Sequence, residues 1–233
     1  MEARTFDVPR YLSVLPLFND LSPAELTHVA TGCVLRRLER TDMVFRTGEC
    51  CEEFHVVVTG QVKLFVLSPN GQEKVVELIS PGQSFGEAIM FTGRPYILSA
   101  QSLTDTLLLT VSKRAVLAEI ARDHRFALRL LAGLSRRLHG LVHDVEGYAL
   151  HSGLQRVIGY LLRDQVVDGV EAPQSRTVAL PVSKATIASR LSLTPEYFSR
   201  VLHELADQGL IEIDRREIRI VDAPRLARFQ LNA

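Results

Sequence analysis

Val182-Ser183-Lys184-Ala185-Thr186-Ile187-Ala188-Ser189-Arg190-Leu191-Ser192-Leu193-Thr194-Pro195-Glu196-Tyr197-Phe198-Ser199-Arg200-Val201-Leu202 holds two helix starts separated by one tight turn. Ser183 can cap a first helix whose Ile187, Ala188 and Leu191 share an inward face. Ser192-Leu193 supplies the turn. Thr194 caps a second helix, with Pro195 at its first position and Phe198, Val201, Leu202 and Leu205 facing inward. Two short helices so joined form a helix-turn-helix, here placed at 183–207, whose second helix offers its N-terminal residues to a DNA major groove. Glu196, Ser199 and Arg200 fall on that early outer face. Arg200 suits O6 and N7 of guanine, Glu196 suits cytosine N4, and Ser199 can approach a thymine. Lys184, Arg190 and Arg200 against Glu196 give the segment a local positive excess, and Thr194 joins the candidate contacts. Glu196 and Arg200 are also spaced as an i, i+4 ion pair, which is usually mere solvated surface. Their place on a reading helix decides between the two meanings.

Working outward, Ile211 to Val221 reads as a charged hairpin, with Arg215, Arg216 and Arg219 set as a wing beside the phosphate backbone. Upstream, Thr177 to Leu180 is a short strand, Asp168 to Arg176 a polar loop, and Leu154 to Val167 an amphipathic helix. Before these, Leu131, Leu134, Leu138, Leu141, Val145 and Tyr148 follow at steps of 3, 4, 3, 4 and 3. So narrow a seam fits either a long helix packed in its own domain or a helix pair across a homodimer two-fold, and Arg136, Arg137 and Asp144 on its flanks suit both.

The first half has another texture. Met43 to Phe45, Phe54 to Val58, Val62 to Leu67, Val75 to Ile79 and Ser99 to Val111 are strand-like, and glycines at 48, 60, 71, 82 and 93 recur every 11 or 12 residues. That is one strand and one turn repeated, as in a small barrel or sandwich, with Asn70-Gly71 the best hairpin signal. Residues 9–32 read as helical, and Ser22-Pro23-Ala24-Glu25 has a capping-box pattern.

Composition narrows the function class. The chain has 233 residues, 46% hydrophobic and 23% charged, with 27 basic and 27 acidic side chains. Residues 151–233 hold 11 basic and 10 acidic side chains, a net of +1, so any DNA contact depends on a local patch. No run of ~18 apolar residues could span a membrane. The first residues, broken by Asp7 and Pro9, lack the layout of a signal peptide, and three clustered cysteines (Cys33, Cys50, Cys51) point to a reduced, cytoplasmic protein. There is no phosphate-binding glycine loop, nucleophile elbow or metal-spaced His/Glu pair, so an enzyme is not expected.

With these motifs in this order, the chain resembles the CRP/FNR family of transcription regulators over almost its full length. Glu196-Tyr197-Phe198-Ser199-Arg200 is similar to the E-x-x-S-R signature of the FNR-like branches. Together with Phe85-Gly86-Glu87-Ala88-Ile89-Met90-Phe91, it looks most like the denitrification-regulator branch. The resemblance implies an α+β chain: an N-terminal β-roll like the cyclic-nucleotide-binding jelly roll (1–122), a long dimerisation helix (123–150) and a C-terminal winged helix-turn-helix (151–233). It also implies a homodimer on double-stranded DNA, a TTGAT-like inverted repeat, an activator's dealings with RNA polymerase, and an effector near Phe85, Gly86, Glu87, Arg94 and Ser99.

The residues qualify the effector. A cyclic phosphate needs a cation or several donors. Family cyclic-nucleotide sites carry arginine immediately before the Ser-Ala pair, but Leu98 precedes Ser99 here and Arg94 is the nearest arginine, so cyclic AMP is not expected. Three cysteines do not make the usual four-thiolate iron–sulfur site. Cys50-Cys51 is adjacent in the manner of a redox pair, though such neighbours are more often plain thiols. The branch implies haem and nitric oxide, with His28, His55, His124, His139 and His143 as available axial ligands; none has motif-grade spacing, and the metal question stays open. The alternatives are a regulator of this family without a small-molecule effector, or a cyclic-nucleotide-responsive one.

Overall fold

In the computed structural model, residues 6–15, 18, 21–162, 176–180, 182–215 and 217–231 are described. The periodic glycines punctuate the N-terminal half: Gly48, Gly60, Gly71, Gly82 and Gly93 all have positive φ, from 65° to 92°. At Gly60 the need is double, since a Cβ there would lie 2.5 Å from the Asp105 carbonyl oxygen. Between these turns run β1 (Cys33–Leu38), β2 (Met43–Phe45), β3 (Glu53–Thr59), β4 (Val62–Leu67), β5 (Glu73–Ile79), β6 (Ser84–Phe85), β7 (Ser99–Ser102) and β8 (Thr106–Ser112). They form two antiparallel four-stranded sheets, ordered β1-β8-β3-β6 and β2-β7-β4-β5. The β4–β5 hairpin turns through Asn70-Gly71 as expected, in a five-residue loop tied by Ser68 to Gln72.

Phe54, Val57, Val62, Phe85 and Leu108 are fully buried between the sheets. Removing one such aromatic side chain from water contributes roughly 1.5–3 kcal/mol. Two helices, α1 (Val8–Ser13) and α2 (Pro23–Ala30), precede the sheets, and α3 (Glu87–Met90) sits between β6 and β7. The Ser22 capping box closes, with the Ser22 amide donating to Glu25 at 2.7 Å. The single helical reading of 9–32 thus becomes two helices.

Ser112 caps α4 (Lys113–Arg122), and a break at Asp123 starts α5 (His124–Leu150). Phe126 and Leu130 are buried, Phe126 stacking on Phe18 at 5.7 Å. Beyond them Leu131, Leu138 and Val145 are each more than half exposed, so the later turns of α5 do not bury the seam. Leu134 is half-buried and departs from that exposed row, while the side chain of Tyr148 lies outside the described residues.

Two compact units divide the chain at 140/141, within α5. The second contains α6 (Gly153–Leu162), β9 (Arg176–Ala179), α7 (Lys184–Arg190), α8 (Pro195–Asp207), β10 (Ile211–Asp214), β11 (Glu217–Ile220) and α9 (Ala223–Leu231). Its sheet has the order β10-β11-β9, so the expected hairpin gains a third strand. Of the expected polar loop at 168–176, Arg176 instead opens β9, and the rest lies outside the described residues. The sequence reading passed over α9, which packs on α6; its signal is Asp222, whose carboxylate accepts the Arg225 amide at 2.9 Å, followed by Pro224 in the first turn.

Candidate nucleic-acid interface and sensor interior

The two capping residues form the hydrogen bonds their sequence promised. Ser183 Oγ accepts the Thr186 amide at 3.1 Å, and Thr194 Oγ1 accepts the Tyr197 amide at 3.2 Å. Ser192 turns the chain with φ of 55°, unusual for a residue with a Cβ. Ile187, Ala188, Phe198, Val201, Leu202 and Leu205 are buried between and beneath the helices. Arg156 of α6 braces the turn, its Nη1 donating to the Leu191 carbonyl at 2.7 Å.

This scaffold leaves Glu196 and Arg200 exposed, one helical turn apart on α8, with Ser199 half-buried beside them. The i, i+4 pair does not form; the Arg200 guanidinium lies over the Tyr197 ring, 4.8 Å from its centroid. Both charges therefore remain available to a base edge. Thr194 is exposed, but its hydroxyl oxygen already serves the cap. Lys184, in the first turn of α7, is half-buried.

Arg190 is a correction. It is 5% exposed and hydrogen-bonds the Asp144 carboxylate on α5, so it belongs to the scaffold and not to a DNA-facing surface. The neutralised pair removes one cation from the local positive excess expected there. In the wing, Arg215 is exposed at the hairpin tip with φ of 51°, and Arg216 lies outside the described residues. Arg219 is committed across the hairpin to Glu212 at 3.0 Å.

The N-terminal half is organised differently. Gly86 has φ of 91° and caps α3, so the Phe85-Gly86-Glu87 turn has a backbone reason for its glycine. Around it stands an aromatic cluster: Phe45 on Tyr96 at 3.7 Å, His55 against Phe85 at 5.1 Å, and Phe45 against His55 at 5.9 Å. His55 Nδ1 meets Thr110 Oγ1 at 3.0 Å, and burial pulls its pKa down to about 3. Tyr96 donates its hydroxyl to the Glu53 carbonyl at 3.0 Å. Ser99 is buried, bonding the Thr47 amide at 3.1 Å, and Leu98 packs against the core. Arg94 is exposed on the loop before β7.

A cleft of about 330 Å³ lies nearby, with Phe18, Val56 and Leu130 among its apolar lining and Glu77, Glu87 and Arg136 among its charged lining. Of the five expected effector residues, Glu87 alone lines this cleft. Phe85 and Ser99 are instead parts of the packed interior, because one is held in the aromatic cluster and the other in a bond to Thr47. Leu134 also lines the cleft, which explains its departure from the exposed row.

Haem fits the described part of this cleft poorly, because no histidine, cysteine, methionine or tyrosine lines it to supply an axial ligand. His55 is locked in the aromatic cluster, while His28 is paired with Glu119 at 3.4 Å. Among the described residues, no three His, Cys, Asp or Glu side chains gather as a metal site. Burial pushes the Cys33 thiol up to about 12, away from the thiolate that iron–sulfur ligation requires.

Comparison with known proteins follows the same division. Residues 35–123 match the cyclic nucleotide-binding domain family, and residues 155–229 match the Crp-like helix-turn-helix domain family. The solved structure of DNR from Pseudomonas aeruginosa is 36% identical, covering 97% of this chain and 99% of that one, with a TM-score of 0.52. FixK2 from Bradyrhizobium japonicum is 25% identical over 84% of this chain and 96% of its own, with a TM-score of 0.74. The cyclic AMP receptor protein of Thermus thermophilus is 27% identical over 91% of this chain and 94% of its own length.

Proposed function

Since the chain belongs to the CRP/FNR family of transcription regulators, whose members here are regulators and not enzymes, we propose that it works as a homodimer reading a TTGAT-like inverted repeat. The observation that carries this reading is the exposure of Glu196 and Arg200 one turn apart on a capped α8, without an ion pair between them. Arg200 donates two bonds to guanine O6 and N7, Glu196 accepts from cytosine N4, and Ser199 lies against a neighbouring thymine. Lys184 and the wing tip at Arg215 contact phosphates and set the register.

The exposed Leu131, Leu138, Leu141 and Val145 on α5 support a two-fold helix pair, since so long an apolar row is costly to leave in water. Family membership alone supports RNA polymerase as a partner and activation as the outcome. No described helix is long and apolar enough to cross a membrane, and DNA as the proposed partner supports a cytoplasmic location.

For the sensor, the cleft beside Glu87 is the favoured effector site. Its carboxylates Glu77 and Glu87 oppose a phosphate, with Arg136 the cation beside them, and Leu98 stands where the family's cyclic-nucleotide sites carry arginine, which supports an effector other than a cyclic nucleotide. The test of the DNA reading is a titration of the parent and Arg200→Ala on an intact inverted repeat and on one with the guanine changed. Arg200→Ala should lose about 1–3 kcal/mol per half-site on the intact repeat only. Unchanged discrimination would sink the assignment.

A further inference from the structure

Tyr197 stands between Glu196 and Phe198 and was not among the residues expected to meet a base. Its ring is half-buried and carries the Arg200 guanidinium on its face. The same ring is seated against the first residue of α6. A Cβ at Gly153 would lie 2.5 Å from Tyr197 Cε1 and 2.8 Å from its Cζ and hydroxyl oxygen, closer than real side chains approach. The Gly153 backbone is not left-handed, so its φ does not demand glycine, and alanine is the better helix former. What glycine supplies at this position is space for the ring.

We infer that Tyr197 is a positioning residue for base readout: its ring, seated on Gly153, holds the Arg200 guanidinium in the orientation that reads guanine. The inference rests on the base contacts proposed above. A free arginine side chain samples many rotamers, and a planar fork gains two bonds to guanine only in one of them. Holding the guanidinium over a ring before DNA arrives removes part of that ordering cost. The same seat ties the reading arginine to the start of α6.

The test uses the full chain, titrated by fluorescence anisotropy on the intact site and on the site with its guanine changed. Tyr197→Leu should lose about three- to fivefold of the discrimination between them per half-site, the worth of an exposed cation–ring contact. Tyr197→Phe keeps the ring and should keep the discrimination. Gly153→Ala should reproduce the Tyr197→Leu loss without lowering the thermal unfolding midpoint, and it decides the matter if Tyr197→Leu does not fold. In an Arg200→Ala background, Tyr197→Leu should change discrimination no further. If Arg200→Ala discriminates as the parent does, the base reading itself falls. If Arg200→Ala loses discrimination while Tyr197→Leu and Gly153→Ala keep it, the positioning role falls and the base reading stands. Equal loss on both sites, or the same loss in the Arg200→Ala background, also overturns the role.

Discussion

On α8, Glu196 and Arg200 stand exposed in solvent without pairing to each other, whereas at the barrel's own motif Glu87 and Ser99 are buried. Ser99 is bonded to Thr47, and Phe85 is packed against His55. Both regions carry a family-like motif, but one displays its polar atoms and the other uses them internally. A surface that reads DNA must keep donors and acceptors exposed. A sensor interior can keep a motif's turn, here through Gly86, while its polar side chains are bonded within the fold.

The contrast can be broken most forcefully at α5. Leu138→Glu with Val145→Glu alters two residues that are 62% and 64% exposed in the single chain, so neither unit's own core should suffer. Sedimentation should find monomers, because each carboxylate forced into an apolar seam costs several kcal/mol. A persistent dimer would mean that another surface joins the chains.

A smaller effect sharpens the comparison from the DNA-binding side. Asp144→Ala leaves the buried Arg190 guanidinium without this carboxylate and should destabilise the 141–233 unit by about 3 kcal/mol. Hydrogen exchange resolved by residue should place that loss in 141–233 and leave the sheets of 1–140 unchanged. A uniform loss would show that the two units unfold as one.

The smallest effect at neutral pH belongs to the barrel. His55 has a folded pKa near 3 against an ordinary 6.5, so it is neutral when folded and takes up a proton on unfolding. Its contribution is full above about 6.5 and is lost as pH falls toward 3, at up to about 1.4 kcal/mol per pH unit. His55→Gln does not titrate and should flatten that decline in urea-unfolding midpoints of the 1–140 unit. An unchanged acid slope would remove His55 from the account.

How much was legible follows from the same contrast. The helix-turn-helix was readable because caps, Pro195 and the inward residues are local signals, each fixed by its neighbours in sequence. The glycine period marked the barrel for the same reason. Strand β1 was passed over, since Arg36 and Arg37 interrupt an edge strand that buries only Leu38 fully. Arg190 was misplaced because its partner, Asp144, is 46 residues away. Of the expected effector residues, Ser99 is bonded to Thr47 inside the fold, a contact across 52 residues that no spacing reveals.

The buried Arg190 has a consequence for how the protein finds its site. Buried Arg190 is neutralised by Asp144, so one cation in the DNA-binding unit is withdrawn from the phosphate backbone. Each cation kept from a phosphate lowers the salt slope of binding by about 0.9 and weakens attachment to random sequence. A dimer of the proposed kind is then expected to dwell briefly on DNA that does not match and to leave it readily. Its expected search runs by frequent release and recapture, ending where the proposed Arg200–guanine contact forms.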